Sequence, residues 1–248
     1  MENSAAIRFE HVYKAFGSLQ VLADVSFSVP AGEAFCILGR SGAGKSVMLK
    51  QLIGLIPPDQ GRIYIEEEEI TGLPPRELPR IRKRMGFLFQ YSALFDSITV
   101  GENVAFPLRR HTKFPEEKIQ QIVHDRLEEV GLADHTRKMP TDISGGMRKR
   151  AGLARALALE PSILLVDEPS SGLDPITAAE IDNLLLQLKV SKGTTLVVVT
   201  HNIPSARRIG DTLAVLHQAR ILAQGTAEEL DRSPHEMVRE LMSSQGGT

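Results

Sequence analysis

The sequence predicts an α/β fold built on a largely parallel central sheet. Short, continuous apolar runs of strand length recur along the chain, and segments with apolar residues at helical spacing lie between them. Continuous apolar runs are typical of strands that helices cover on both faces, and strands that alternate with helices indicate an α/β architecture. A glycine-rich loop joins one such strand directly to a helix, which is the order that this class of fold uses for ligand binding.

The first thirty residues predict antiparallel strands that are half exposed. Ile7 and Phe9, and later Val25, Phe27 and Val29, are apolar at every second position, with polar residues between them. This period of two is the pattern of a strand with one buried face. Residues 30–33, Pro-Ala-Gly-Glu, predict the turn that ends this part of the chain.

The later strands and helices follow from shorter signals. Buried strands are predicted where apolar residues run without a break, at residues 34–38, 85–89, 163–166 and 195–200. Helices are predicted where apolar residues recur at spacings of three and four, at residues 47–53, 177–189 and 236–242. An acidic run at residues 66–69, inside a proline-containing stretch, predicts a solvated hairpin.

The middle of the chain, from about residue 100 to 160, is predicted to be helical. Ile119, Ile122, Val123, Leu127 and Val130 recur at helical spacing. Strands precede and follow this stretch, so we expect it to form a helical subdomain inserted into the α/β core.

Composition excludes several classes of protein. The chain has 248 residues, of which 42% are hydrophobic and 24% charged, as in ordinary globular proteins. A net charge of −2 gives no basic field for nucleic acid, and a single cysteine, Cys36, permits no internal disulfide. No apolar run approaches the ~18 residues that a membrane-spanning helix needs, and residues 1–11 do not resemble a signal peptide. We therefore expect a soluble, cytoplasmic protein that does not bind nucleic acid.

The strongest local motif lies at residues 39–46, which read Gly-Arg-Ser-Gly-Ala-Gly-Lys-Ser and match G-x-x-x-x-G-K-[ST]. Backbone N–H groups can wrap a phosphate only where side chains are absent, and the helix that follows adds further N–H groups. Lys45 can reach the β- and γ-phosphates, and the Ser46 hydroxyl can bind Mg²⁺. The predicted nucleotide-binding residues here are Gly39, Arg40, Ser41, Gly42, Ala43, Gly44, Lys45, Ser46 and Val47.

Two carboxylates, Asp167 and Glu168, follow the predicted strand at residues 163–166. Ligands of open α/β sheets bind beyond the carboxyl ends of the strands, so both side chains are expected near the phosphate loop. Asp167 is predicted to hold Mg²⁺, directly or through water, and Glu168 to orient or deprotonate the attacking water.

A second anion-binding helix terminus is predicted at Ser144, Gly145 and Gly146, which precede an amphipathic helix. One γ-phosphate does not need two such termini from the same chain. We therefore expect the second terminus to serve a partner chain, in a head-to-tail dimer with nucleotide between the subunits.

With these motifs in place, the sequence closely resembles the ATP-binding subunits of ABC transporters over almost its whole length. Residues 39–46 match the Walker A loop, 144–148 the signature motif, 167–168 the Walker B pair and 171–174 the D-loop. Gln90 matches the Q-loop glutamine and His201 the switch histidine, while Tyr13 falls where the family places an adenine-stacking aromatic residue.

The resemblance implies a P-loop NTPase fold with a RecA-like core, an N-terminal antiparallel β-subdomain and an inserted α-helical subdomain. We expect a single domain over residues 1–248, with its core at about 1–91 and 161–248 and the helical subdomain at about 92–160.

The resemblance also implies roles for individual residues, with ATP and Mg²⁺ as cofactors. Glu168, His201 and Gln90 would be catalytic, and Ser46, Gln90 and Asp167 would serve the metal. His201 would bind the γ-phosphate, with its charge state left open, and Asp174 would contact the phosphate loop of the partner. Met147 stands where the common signature has glutamine, and Ile143 where it has leucine. We expect activity to be retained, because the phosphate-facing residues are present.

Within the family, residues 89–108 and 144–161 resemble the Mla/Mce group of lipid-transport ATPases. That resemblance implies phospholipid as the substrate, moved between the two membranes of a Gram-negative envelope. It implies permease subunits, an MCE-type lipid-binding protein and a small STAS-type subunit as partners, and a peripheral position on the cytoplasmic face of the inner membrane. Residues 91–106 are expected to form the groove for the permease, although Leu94, Phe95 and Val100 could equally be core of the helical subdomain.

Alternative functions share these motifs. The main alternative is the ATPase subunit of an amino-acid or metal importer. DNA-repair ATPases interrupt the domain with long coiled coils, whereas only 122 positions separate Lys45 from Asp167 here. Ribosome-associated members carry two cassettes, and a subunit without hydrolysis would lack Glu168 or His201.

Overall fold

The computed structural model describes residues 4–244, so residues 1–3 and 245–248 of the expected domain lie outside the described part. Two sheets and nine α-helices make up this part of the chain. The helices are α1 (Lys45–Leu52), α2 (Leu78–Arg82), α3 (Val100–His111), α4 (Glu116–Glu129), α5 (Gly145–Leu157), α6 (Pro175–Lys192), α7 (Ile203–Ile209), α8 (Ala227–Asp231) and α9 (Glu236–Ser243).

The smaller sheet is antiparallel, as the period of two predicts. Its strands are β1 (Ala5–Phe16), β2 (Leu19–Pro30), β4 (Gln60–Ile65) and β5 (Glu68–Glu69), in the order β2-β1-β4-β5. The predicted apolar positions of β1 and β2 are buried, and the rings of Phe9 and Phe27 stack with their centroids 4.5 Å apart. Phe27 stacks in turn on Phe35 of the other sheet, at 4.9 Å, so aromatic packing joins the two sheets.

The larger sheet carries the predicted parallel strands. These are β3 (Ala34–Leu38), β6 (Met85–Leu88), β7 (Ile163–Asp167), β8 (Thr195–Thr200), β9 (Thr212–His217) and β10 (Arg220–Gly225), in the order β10-β9-β3-β8-β7-β6. Only β10, at one edge, runs antiparallel to its neighbour. Every residue of β3, β7 and β8 is buried. The carboxyl ends of these three central strands meet at one edge of the sheet, and the loops that leave this edge build the site.

The acidic run forms a hairpin, as predicted. Glu66 and Glu67 make the turn between β4 and β5 and have positive φ values of 48° and 66°. Glu68 then forms a bidentate pair with Arg80 at the protein surface. The run therefore forms a surface turn with an ion pair, as expected of a solvated hairpin.

The three helices α3, α4 and α5 lie in the stretch predicted to be helical. Thr99 caps α3 through a capping box with Glu102, which fixes where the helix begins. The helices share one hydrophobic cluster with β7 and β8, because Val104, Leu127 and Leu153 pack in the same core as Leu164 and Val198. The division of the chain at residues 92 and 160 therefore stays a prediction. Within residues 4–244, no helix is both long and apolar enough to cross a membrane.

Candidate active site

A cavity of about 580 Å³ opens at the carboxyl edge of the central strands. It brings together most of the residues that the sequence predicts for nucleotide binding and catalysis. The predicted residues that line it are Gly39, Arg40, Ser41, Gly42, Ala43, Gly44, Lys45, Ser46, Val47, Gln90, Glu168 and His201.

The phosphate loop has the backbone that its glycines were expected to provide. Gly42 and Gly44 have φ values of 78° and 104°, which side chains disfavour. A Cβ atom at Gly44 would also lie 2.8 Å from the carbonyl oxygen of Val21. The loop leads directly into α1, whose first turn has no side-chain cap. The N–H of Val47 donates to the carbonyl oxygen of Gly44, so the N–H groups of Lys45 and Ser46 are the ones of this turn available to an anion.

Lys45 lies within the loop and is 6% exposed. Its Nζ donates to the carbonyl oxygens of Gly39, at 2.7 Å, and Arg40, at 3.2 Å, and lies 3.4 Å from Oε1 of Glu168. The cation is therefore held between the loop and the carboxylate, where a terminal phosphate would be bound.

Ser46 and Asp167 provide oxygen ligands of the type that Mg²⁺ prefers. The Ser46 hydroxyl donates to Oδ1 of Asp167 over 3.0 Å, which joins the loop to the end of β7. Burial raises the pKa of Asp167, while the hydrogen bond from Ser46 opposes that rise. A hydroxyl and a carboxylate at this spacing fit a magnesium ion that carries a nucleotide and that would neutralise charge on its phosphates.

Glu168 carries a buried carboxylate that lines the cavity. Lys45 lies on one side of this carboxylate and His201 on the other. Nδ1 of His201 lies 2.9 Å from Oε2, and the backbone N–H of His201 donates to the same oxygen over 3.3 Å. Lys45 lies on the other side, near Oε1. The His201 ring is 50% exposed, so it faces the open cavity while it fixes the orientation of the carboxylate. This arrangement can hold a water molecule against a phosphate and accept its proton.

The structure does not bring the second helix terminus to this cavity. Ser144, Gly145, Gly146 and Asp174 lie together elsewhere, at the neighbouring N-termini of α5 and α6. A Cβ atom at Gly146 would lie 2.4 Å from Cγ2 of Thr177, and Asp174 caps α6 through the N–H groups of Ile176 and Thr177. Ser144, Gly145 and Asp174 are exposed, whereas Gly146 is buried.

The aromatic wall of the cavity differs from the prediction. Tyr13 is not one of its lining residues, whereas Phe16 is, with 48% of its surface exposed. The reason is the register of β1: Tyr13 pairs with Gln60 inside the small sheet, while Phe16 ends the strand beside the cavity. Phe16 therefore takes the position expected for Tyr13. Nζ of Lys14 also lies 5.3 Å from the centroid of its ring.

Replacing Phe16 with alanine is expected to weaken ATP binding at least ~5-fold, because base–aromatic stacking contributes about 1–3 kcal/mol. Tyr13→Ala is the matched control and should change the Kd by less than about two-fold, because Tyr13 does not line the cavity. Titration of each purified variant with a fluorescent ATP analogue measures both. Equal losses in the two variants would contradict the assignment of Phe16.

Three further lining residues were not predicted: Val21, Leu241 and Ser244. Val21 belongs to β2 and packs over the phosphate loop, whereas Leu241 and Ser244 come from α9 and the residue after it. Nothing local in the sequence signals the contacts of Leu241 and Ser244, because these residues lie about two hundred positions after the phosphate loop.

The parallel sheet, the phosphate loop, the paired acids and the exposed second terminus together define an ATP-binding cassette. A family model described as "ABC transporter" matches residues 22–171. The chain belongs to the ABC transporter family, and it is an ATPase whose hydrolysis is coupled to transport.

Relatives and solved structures extend this result. The chain is 44% identical over 245 residues to a probable ribonucleotide transport ATP-binding protein, mkl, of Mycobacterium leprae, covering 99% of this chain and 71% of that protein. It is 39% identical over 244 residues to the intermembrane phospholipid transport system ATP-binding protein MlaF of Escherichia coli, covering 98% and 91%. A dimeric ATP-binding cassette in a post-hydrolysis state, bound to ADP and Pi, superposes with a TM-score of 0.83 at 32% identity, covering 89% and 98%.

Proposed function

We propose that the chain is the ATPase subunit of a phospholipid transporter, in which two copies bind Mg-ATP head to tail and drive membrane-spanning permease subunits. The observation that carries the proposal is the alignment with the phospholipid-system protein of Escherichia coli, which spans 98% of this chain and 91% of that protein.

The residues divide into two groups in this proposal. One copy contributes the phosphate loop, Phe16, the metal-binding residues Ser46, Gln90 and Asp167, and the catalytic residues Glu168, His201 and Gln90. The other copy contributes Ser144, Gly145 and Gly146 to the same nucleotide, and its Asp174 contacts the phosphate loop. The placement of Ser144, Gly145, Gly146 and Asp174 outside the cavity that the phosphate loop lines supports this division.

A second cavity, of about 340 Å³, supports docking of a permease. The ring centroids of Phe95 and Phe106 lie 4.9 Å apart on its wall, and both side chains are nearly half exposed. Leu94, Phe95 and Val100 could each belong to the permease groove or to the core. Phe95 lines this cavity, whereas Val100 is fully buried and Leu94 packs against the main core. An exposed aromatic pair on a grooved surface is typical of a protein interface.

The proposal includes further partners and a location. An MCE-type lipid-binding protein and a small STAS-type subunit would complete the complex, and the ATPase subunits would lie on the cytoplasmic face of the inner membrane. In this proposal the permease subunits would supply the attachment to the membrane.

Ribonucleotide transport is the second candidate function, because relatives that are 44% identical carry that description. Purification of the complex from its native membrane, followed by reconstitution into vesicles, separates the two. The phospholipid proposal predicts co-purified phospholipid and ATP-dependent transfer of a fluorescent phospholipid to acceptor vesicles. ATP-dependent uptake of a labelled ribonucleotide, with no lipid transfer, would contradict it, as would a complex with a soluble amino-acid- or metal-binding protein.

A further inference from the structure

Lys149 is a buried cation that the nucleotide-binding cavity does not use. It lies on α5, five positions after Ser144, and is 4% exposed. Its Nζ donates to the backbone carbonyl oxygen of Glu168 over 2.9 Å. Burial lowers the pKa of Lys149 to about 8, while the nearby carboxylates of Asp167 and Glu168 oppose that shift. A buried cation costs free energy unless it is hydrogen-bonded, and the bond to Glu168 supplies that partner.

The backbone of Glu168 needs such a partner. Its φ value is 48°, in the left-handed region that residues other than glycine, asparagine and aspartate rarely adopt. Non-glycine residues held there are destabilised and persist only where neighbouring groups fix them. The N–H of Glu168 donates to the carbonyl oxygen of Val199, at 2.9 Å, and its own carbonyl oxygen also accepts from the N–H of Ser171, at 3.2 Å.

Among the described residues, Lys149 supplies the one side-chain hydrogen bond to the backbone of Glu168. The peptide direction at Glu168 decides where its carboxylate points, between Lys45 and His201. The same hydrogen bond joins the turn at residues 168–171 to α5, the helix that Ser144 caps. A movement of α5 would therefore shift the backbone of Glu168 and change the orientation of its carboxylate.

We propose that Lys149 is a positioning residue for hydrolysis: its hydrogen bond to the Glu168 carbonyl oxygen holds the carboxylate in line with the attacking water. The same bond couples the carboxylate to α5, the helix whose N-terminus carries the signature residues. This inference rests on the proposed role of Glu168 as the group that activates water. Lys149 itself does not line the nucleotide-binding cavity, so it would act through Glu168.

Lys149→Met removes the donor and keeps an unbranched side chain, whereas Lys149→Gln keeps an N–H donor without the charge. In the full complex, Lys149→Met is expected to lower kcat about ten-fold with the KM for ATP unchanged, because misorientation affects only the transition state. Lys149→Gln should recover at least about a third of the wild-type kcat. Lys118→Met, on the exposed face of α4, is the matched control and should leave kcat unchanged.

A double substitution separates positioning from a structural role. If Lys149 acts through the Glu168 carboxylate, Lys149→Met should change the residual turnover of the Glu168→Gln variant by less than about two-fold. A multiplicative loss, an unchanged kcat in Lys149→Met alone, or a Gln variant as inactive as the Met variant would each overturn the proposal. Near-normal turnover in Glu168→Gln alone would instead overturn the role of Glu168.

Discussion

Replacing Glu168 with glutamine is expected to lower the rate of ATP hydrolysis at least ~10²-fold, which is the usual contribution of a positioned general base. The substitution keeps the volume of the side chain and its contact with His201, but an amide cannot accept the proton of the attacking water. ATP binding should survive, since the phosphate loop is untouched. The variant should therefore accumulate as an ATP-bound dimer, which size-exclusion chromatography with light scattering measures directly.

Glu128→Gln provides the matched control for this result. Glu128 lies exposed on α4, so the same chemical change there should leave turnover within about two-fold of wild type. Turnover near wild type in the Glu168→Gln variant would refute the assignment of Glu168. A slow variant that fails to dimerise with ATP would show that the carboxylate acts in assembly rather than in the chemical step.

Lys45→Ala is expected to weaken ATP binding at least ~30-fold, because removing one partner of a buried charge pair costs about 2–5 kcal/mol. The ammonium group of Lys45 is buried in the phosphate loop and donates hydrogen bonds to the carbonyl oxygens of Gly39 and Arg40. Isothermal titration with ATP and Mg²⁺ measures the loss.

Lys50→Ala, on the exposed side of the same helix, should keep the affinity within about two-fold. Circular dichroism should show that both variants remain folded. Unchanged affinity in Lys45→Ala would contradict the role of the phosphate loop.

Much of the fold could be predicted because the signals are local. The fully buried strands β3, β7 and β8 appear in the sequence as unbroken apolar runs, and the half-buried strands β1 and β2 appear as a period of two. The phosphate loop is equally local, since Gly42 and Gly44 occupy backbone conformations that other residues disfavour. The predicted α/β class, the antiparallel N-terminal sheet and the helical insertion are all present.

Residues that depend on register or on distant segments could not be predicted in this way. Phe16 replaced Tyr13 in the cavity wall because irregular pairing along β1 decides which aromatic ring reaches the loop. Leu241 reaches the cavity only because α9 folds back across the sheet edge. Lys149 looks like an ordinary charge on an amphipathic helix until the structure buries it against Glu168.

The central claim is that each ATP is bound between the phosphate loop of one copy and the signature residues of another. It can be tested by mixing two inactive variants, Lys45→Ala and Gly145→Asp. Gly145→Asp places a negative charge where the partner's phosphate would bind, and no atom outside its own helix lies closer than 3.9 Å to the new Cβ. An acidic residue in the first turn also suits the helix dipole, so α5 should remain folded.

In a mixed dimer, the two defects fall in the same site and leave the other site intact. We expect the co-assembled variants to recover up to about a quarter of wild-type ATPase activity, because half of randomly paired dimers are mixed and each has one working site of two. Each variant alone should remain inactive. A mixture that is no more active than the separate variants would contradict the head-to-tail arrangement and, with it, this account of the site.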